Sequence, residues 1–321
     1  MANKTVSVII VAAGRRDYLK SLLDSLKQQS YPFLEIIVID NSPEQNLAGV
    51  CEKNYPEVKF YSNQKNPFYC ASLNKGIDIS TGNFILCLND DVVLDKKFIG
   101  EALKGFDIDE NIGMVGGKIL RSDRETLDST GLFLSPFRTA KERGYGIKDA
   151  GQFDKKGPVF GVNGAVAFYS RRMLEQIKLN GEYFDTDFRF FYEDLDISWR
   201  AHNFGWKGYF IPTAIAYHVR GGTARENQGI NKRFARRYLS DELHFDLVKN
   251  RCLTIIKNEN LLALLIFLPY ILIYEILAWL YIIFFKPTVL NLFFVKKVPL
   301  YNSFKKRLHI KEKLACLKKE V

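Results

Sequence analysis

Four short runs rich in apolar and β-branched residues, "VSVIIVA" (6–12), "EIIVID" (35–40), "VKFYS" (58–62) and "NFILCLND" (83–90), dominate the N-terminal part of the chain. Helical patterns separate them. Leu19, Leu22, Leu23 and Leu26 fall at i, i+3, i+4 and i+7 of "RRDYLKSLLDSLKQQ", and "CASLNKGIDIS" (70–80) reads as a second helix. Strands alternating with helices predict an α/β fold: a mostly parallel sheet covered by helices on both faces. Such sheets bind ligands outside the carboxyl ends of their strands. Asp40 and the adjacent pair Asp90–Asp91 sit at two of those ends, so these acids are expected to share a cleft. Neighbouring carboxylates at a strand end repel each other and lose hydration, and therefore need a cation, a base or water.

A chain of 321 residues, 47% hydrophobic and 26% charged, can bury one large core or two small ones and is not disordered. Its five cysteines are odd in number, widely spaced and without a Cys-x-x-Cys pair, which excludes a disulfide framework or zinc ribbon and fits a reducing, cytoplasmic compartment. "MANKTVSVII" shows no cleavage-type h-region, so no signal peptide is expected. The first strand runs into "AAGRRDYL", neither G-x-G-x-x-G nor a P-loop. A bound diphosphate must then be met by a metal or by basic side chains.

Three clusters carry chemistry. Asn89, Asp90 and Asp91 offer hard oxygens suited to Mg²⁺ or Mn²⁺, although acidic pairs in turns are commonly just solvated. In "FRFFYEDLDISWR" (188–200), Glu193, Asp194 and Asp196 stand among aromatics, which desolvate a carboxylate and raise its pKa as a general base requires. The plain alternative is a helix N-terminus enriched in acids. In "AIAYHVRGGTAREN" (214–227), His218 is a candidate metal ligand beside Asp91 or a buried structural histidine, and Arg220 with the following glycines is a candidate phosphate lid.

In this order, the motifs resemble the inverting family 2 glycosyltransferases with the GT-A fold, nearest to rhamnosyltransferase-like members, over about residues 5 to 260. The resemblance implies a donor side made by Ala12 at the end of the opening strand, Asp40 of "IIVIDNSPE", Asn66, Asn74 and Lys75 of "NQKNPFYCASLNKGI", Asp90, and Arg220. "LNDDV" occupies the D-x-D position, read as Asn89-x-Asp91; "YHVRGGT" is similar to the His-containing loop, so Asp91 and His218 are the implied metal ligands. "FGVNGAVAFYSRR" looks like the acceptor-side strand and "FYEDLDISWR" like the E-D motif. Together they imply acceptor contacts at Gly164, Ala165, Glu193 and Trp199, with Asp194 as the general base. Two departures stand out. Asn89 replaces the first acid of a strict D-x-D, and Phe68 and Tyr69 stand where the family's loop usually carries glycines. Residues 1–225 are accordingly expected to form the catalytic domain, 1–91 binding the nucleotide-sugar and 92–225 the acceptor. Connecting helices are expected over 226–258, a basic one at 231–245, with a membrane-associated segment over 259–321.

That last segment begins with "LLALLIFLPYILIYEILAWLYIIFF", Leu261 to Phe285, whose only charge is Glu275. As a helix it reaches about 37 Å at about 1.5 Å per residue, long enough to cross the apolar part of a bilayer. Pro269, Glu275 and basic residues at both ends suit a re-entrant or interfacial arrangement with both ends cytoplasmic. From Lys286 onward ten Lys or Arg stand against two Glu, so this tail carries +8 of the net +10 and is expected on anionic headgroups. The expected function is metal-dependent (Mn²⁺ or Mg²⁺) transfer of a sugar, with a tilt to L-rhamnose, from a dTDP- or UDP-linked donor. The acceptor is a polyprenyl-diphosphate-linked glycan at the cytoplasmic face of the cell membrane, in cell-surface polysaccharide synthesis. Nucleic acid is not expected as a partner, because the basic tail adjoins an apolar segment. Monomer and homo-oligomer both stay open. A nucleotidyltransferase would show a glycine-rich basic loop after the first strand, and a non-catalytic relative would have lost Asp91, Asp194 or His218.

Overall fold

The computed structural model describes residues 4–220, 239–317 and 319. Its first half is built as the alternation predicts. Strand β1 (Val6–Ala12) leads to helix α1 (Arg16–Lys27), whose buried Leu19, Leu22, Leu23 and Leu26 form the expected face. Then come β2 (Leu34–Asp40), α2 (Ala48–Asn54), β3 (Lys59–Ser62), α3 (Phe68–Asp78) and β4 (Phe84–Asn89). Strand β1 pairs in parallel with both β2 and β4, and β2 with β3. Every residue of β1 is buried, as a strand covered on both faces must be.

The second half extends this sheet. Strand β5 (Val92–Leu94) and helix α4 (Phe98–Leu103) precede the long β6 (Ile112–Arg121) and the short β7 (Leu127–Ser129). A small ribbon of β8 (Leu132–Leu134) and β9 (Ala140–Glu142) stands apart. Next come β10 (Gly157–Val159), β11 (Val166–Ser170), α5 (Arg171–Ile177), α6 (Glu193–Asn203) and β12 (Lys207–His218). The strand order β10-β12-β6-β11-β4-β1-β2-β3 joins both halves, with β5 on β12 and β7 on β6. Most of the ladder is parallel; β11 runs antiparallel between β4 and β6 and welds the halves together. Apolar side chains pack on both faces of this mixed sheet, beneath α1 and α4 on one side and α3, α5 and α6 on the other.

Four helices close the chain: α7 (Asp241–Asn258), α8 (Leu261–Phe285), α9 (Pro287–Val295) and α10 (Leu300–Leu317). The expected helix at 231–245 lies partly outside the described residues, and α7 starts only at Asp241, capped by the Ser240 hydroxyl accepting from the Leu243 N–H. This helix is no solvated connector. Its Asp246 binds Arg189, the Lys249 ammonium donates to the Asp187 carbonyl at 2.7 Å, and Lys257 is buried against Asp185 and Asp196.

Helix α8 has the limits of the apolar run and is, among the described residues, the one helix long and apolar enough to cross a membrane. One stripe of it packs on the rest of the protein. The Arg138 guanidinium lies 3.8 Å from the Phe267 ring centroid, Phe137 meets Tyr270 edge-on, Arg251 pairs with Glu275, and His244 stacks on Tyr281. The other faces are bare, with Leu262, Leu265, Ile276 and Phe284 all more than half exposed. The tail departs from expectation. Lys306 of α10 is buried in a carboxylate pocket of Asp185, Asp187 and Glu182, and Arg307 and Lys313 donate to the carbonyls of Ile256 and Lys178. A buried lysine facing three acids gains more from them than from lipid headgroups, so these three cations are turned to the protein while Lys305 and Lys311 face outward.

Candidate active site

The carboxyl ends of β1 and β4 open into a cleft of about 1420 Å³ that runs past α6 to α7 and α8. The Asp90 carboxylate accepts the Ala13 N–H at 2.8 Å, which ties the end of β4 to the turn after β1. Burial, with the charge of Asp91 added, pushes its pKa up to about 6 against that hydrogen bond. Asp91 turns the other way. Strand β5 lies antiparallel to β12 with His218 opposite Val92, and the Val219 N–H donates to the Asp91 carbonyl at 3.0 Å. This register brings the imidazole Nε2 of His218 to 3.2 Å from Asp91 Oδ1.

Behind His218 stands Asp128 of β7, fully buried, its Oδ2 2.9 Å from Nδ1 and its Oδ1 receiving the Arg220 guanidinium. Burial opposes the charge on His218, yet hydrogen bonds to Asp128 and Asp91 outweigh it and raise its pKa to about 9. For Asp128 burial likewise opposes ionisation, and His218 with Arg220 hold its pKa below the ordinary value. The carboxylate thus fixes Nδ1–H inward and leaves Nε2 for Asp91 or for an ion between them, the arrangement that outer carboxylates give metal-binding histidines.

This donor set fits a hard divalent cation. One carboxylate oxygen and one imidazole nitrogen 3.2 Å apart are spaced like neighbouring ligands of one ion with bonds of about 2.1 Å, and phosphate oxygens and water can supply the rest. No cluster of three or more His, Cys, Asp or Glu suited to a metal occurs among the described residues, so a cation here would depend on its substrate. Asn89 also lines the cleft.

Across the cleft, α6 begins at Glu193 with Asp194 in its first turn. The two preceding residues, Phe191 and Tyr192, both have positive φ (68° and 71°), a conformation costing roughly 1–3 kcal/mol each for such side chains. Asn250 of α7 holds this turn, its amide donating to the carbonyls of Phe190 and Phe191 at 2.7 and 2.9 Å. The strain aims both carboxylates into the cleft. Asp194 accepts the Leu195 N–H at 2.7 Å and, more weakly, the Gly164 N–H at 3.4 Å, whereas Glu193 Oε2 is buried with no hydrogen-bond partner. Burial first, and then Asp194, push the Glu193 pKa up to about 8; burial also raises that of Asp194 against its two N–H donors. Two such carboxylates repel each other, and the N–H donors on Asp194 favour negative charge there over Glu193.

The cleft wall contains Asn66, Asp90, Asp91, Gly164, Ala165, Glu193, Asp194, His218 and Arg220 of the residues expected in the site. The others stand behind it. Asp40 is buried with its carboxylate on the Ser42 N–H and Ser62 hydroxyl, and its neighbour Asn41 reaches the cleft instead. Asn74 spends its amide on the backbone of Tyr183 and Phe184, Lys75 donates to Asn63, and Ala12 lies inside the sheet. Trp199 packs edge-on against Phe160 rather than facing an acceptor. These five thus stand outside the cleft wall, with their polar atoms engaged or their side chains enclosed. Gly221 to Thr223 of the expected phosphate lid lie outside the described residues.

Two wall or support residues have no signal in the sequence. Asp128 sits in "TLDSTG", without any motif, and only an acid inside a short apolar stretch hints at burial. Glu142 looks like a surface charge in "AKERGYG", yet it lines the cleft half-buried, accepting from Ser129 and from Asn163 at 2.6 Å. Burial above all raises its pKa to about 8.

A parallel half-sheet joined through an antiparallel strand to a second half, with an acid pair at the β4 end and two carboxylates facing it, defines the GT-A class of fold. Comparisons with known proteins agree. GalNAc-T7 solved with UDP, GalNAc and Mn²⁺ superposes with a TM-score of 0.54 at 15% identity, covering 67% of this chain and 43% of that one. Residues 1–349 of S. aureus TarS with UDP give 0.54 at 15% identity, covering 80% and 67%. The model of glycosyl transferase family 2 matches residues 7–178, more than half of the chain, and the protein belongs to that family. Poly-beta-1,6-N-acetyl-D-glucosamine synthase of Staphylococcus epidermidis (strain RP62A) is 22% identical over 216 residues, 66% of this chain and 49% of that protein. Its counterpart in S. aureus (strain MSSA476) is 21% identical over 215 residues. The chain spans about half the length of these relatives.

Proposed function

We propose that this chain is an inverting, metal-dependent glycosyltransferase that moves a sugar from a nucleoside-diphosphate donor to a hydroxyl of a lipid-linked glycan in cell-surface polysaccharide synthesis. The observation that carries the reading is the opposition, across one cleft, of the Asp91–His218 pair and the half-buried carboxylate of Asp194. UDP in the solved relatives favours a uridine donor over a dTDP-linked one, and the rhamnose tilt rests on sequence resemblance alone.

Mn²⁺ or Mg²⁺ held by Asp91 and His218 would supply Lewis-acid stabilisation of the departing diphosphate. Arg220, oriented by Asp128 and lining the same cleft, would offer its guanidinium to those phosphate oxygens. Asn41 and Asn66, on the β2 and α3 side of the cleft, face the nucleoside end. Asp194 takes the proton of the acceptor hydroxyl as that oxygen attacks the anomeric carbon from the face opposite the diphosphate. A single displacement inverts configuration and needs no protein nucleophile. Glu193, protonated near neutrality, keeps a second negative charge away from the attacking oxygen. The bare apolar faces of α8 support attachment to a membrane.

Thermal shift of the detergent-purified protein with UDP, dTDP, GDP or ADP, each with Mn²⁺ or EDTA, tests this beside Asp91→Ala. Stabilisation by one diphosphate only with metal, lost in the variant, is expected. Equal stabilisation by all four nucleotides irrespective of metal would overturn the metal-dependent reading.

A further inference from the structure

The cleft is larger than a single small-molecule site, which typically measures about 300–1,000 Å³. Its two ends differ in chemistry. Beyond Asp194 the polar wall gives way to Leu247 and Val248 of α7 and to Ile273, Tyr274, Leu277 and Ala278 of α8. Ile273 and Leu277 are also 51% and 63% exposed, so the lining of the cleft passes without a break into the bare surface of α8.

The seating of α8 explains why this end stays open. A helix crossing a bilayer cannot also lie along a polar domain, yet α8 is held near its start by Arg138 on Phe267, at its middle by Arg251 on Glu275, and near its end by His244 on Tyr281. Its axis therefore runs along the protein surface, which leaves a uniformly apolar outward face free to rest on a bilayer. Exposed apolar residues continue onto α9 and α10 at Phe294, Val295, Tyr301 and Phe304. A protein resting on these residues turns the α7–α8 end of the cleft toward the acyl region. Lys141, exposed and in no ion pair with a described residue, stands on the same cleft wall.

We propose that the α7–α8 end of the cleft is a lipid-tail site, through which an amphiphilic acceptor enters sideways from the bilayer. Its apolar chain lies against Leu247, Val248, Ile273 and Leu277, its anionic head lies near Lys141, and its glycan reaches Asp194. This rests on the transferase reading for the identity of the reacting end, while the tail site itself stands on the apolar wall and its continuity with the α8 surface.

The test uses the full chain in phosphatidylethanolamine–phosphatidylglycerol vesicles and a benzophenone-bearing polyprenyl phosphate, with cross-links mapped by mass spectrometry. Expected are cross-links concentrated at residues 244–248 and 273–281, competed by unlabelled polyprenyl phosphate, abolished in Ala278→Trp and kept in Leu280→Trp on the outer face. Cross-links spread evenly over the outer faces of α8 and α9, or undiminished by competitor, would overturn the site without recourse to any variant. Metal-dependent nucleotide stabilisation, measured on the same samples, separates the two ideas. Nucleotide binding without focused cross-links sinks the tail site alone, and focused cross-links without nucleotide binding uphold it while sinking the transferase reading.

Discussion

Replacing Asp194 by Asn exchanges one carboxylate oxygen for an amide group of nearly the same size. The side chain can keep its oxygen on the Leu195 N–H at 2.7 Å and turn its NH₂ toward Gly164, whose N–H then loses an acceptor held only at 3.4 Å. That loss costs at most about 1 kcal/mol of stability. Glu193 is relieved of the neighbouring charge that helps raise its pKa, a partial offset. The catalytic loss is of another size. A positioned general base contributes about 10²–10⁴ in rate, so the barrier should rise by roughly 3–5 kcal/mol. Transfer measured by nucleotide release should fall at least about a hundredfold, with metal-dependent nucleotide binding unchanged and the melting temperature little moved. The pH profile adds a sign. Transfer needs Asp194 ionised, and burial raises its pKa, so the acid limb of kcat/KM in the unsubstituted protein should lie above the ordinary carboxylate range. Near-normal transfer by Asp194→Asn, or an acid limb at the ordinary value, would refute the assignment of the base.

Asp128→Asn should weaken Mn²⁺ binding about 10–100-fold, read by calorimetry with UDP present, since Asp128 orients His218; unchanged affinity would make it a structural acid only. Asn250→Ala removes both donors from the strained turn at Phe191 and Tyr192, leaving buried carbonyls unmet; urea unfolding should show a loss of about 2–3 kcal/mol, with kcat falling more than KM changes. Glu142, whose folded pKa is raised to about 8, binds its proton more tightly folded than unfolded. Its contribution is therefore full below its ordinary pKa and is lost as pH rises toward 8, and Glu142→Gln should flatten that part of the stability curve, a slope that chemical denaturation at several pH values measures.

Much of the nucleotide half was legible because its cause is local. Continuous apolar runs placed β1, β2 and β4, a period-3.6 pattern placed α1, and the carboxyl-end rule located Asp90 and Asp91 from the strand pattern alone. Asp194 was singled out only by the resemblance to the family's E-D motif, its aromatic neighbours fitting an acid-rich helix start equally well, and the apolar run gave α8 its limits residue for residue. Less legible were residues whose surroundings depend on packing from far along the chain. Asn74 looked like a donor ligand, but its amide is consumed by a loop more than a hundred residues on. Asp128 reaches His218 only because β7 pairs with β6 and β6 with β12, a register no local pattern encodes. The positive charge of the tail suggested lipid headgroups; its spacing could not tell that Lys306 meets three carboxylates of the protein itself.

That lysine has a practical consequence. Enzymes with an apolar C-terminal segment are commonly shortened before it to obtain a soluble fragment. Here a cut after α7 would keep Lys257 on Asp185 but remove Lys306, leaving Asp185 with one of its two cations and Asp187 without its ammonium partner. Breaking a buried ion pair from one side costs about 3–5 kcal/mol, a large part of what a domain has in reserve. Both acids stand on the segment leading into the turn that aims Glu193 and Asp194. The shortened chain would therefore lose order first where the chemistry is done, and its inactivity would say nothing about whether the missing helices bind lipid.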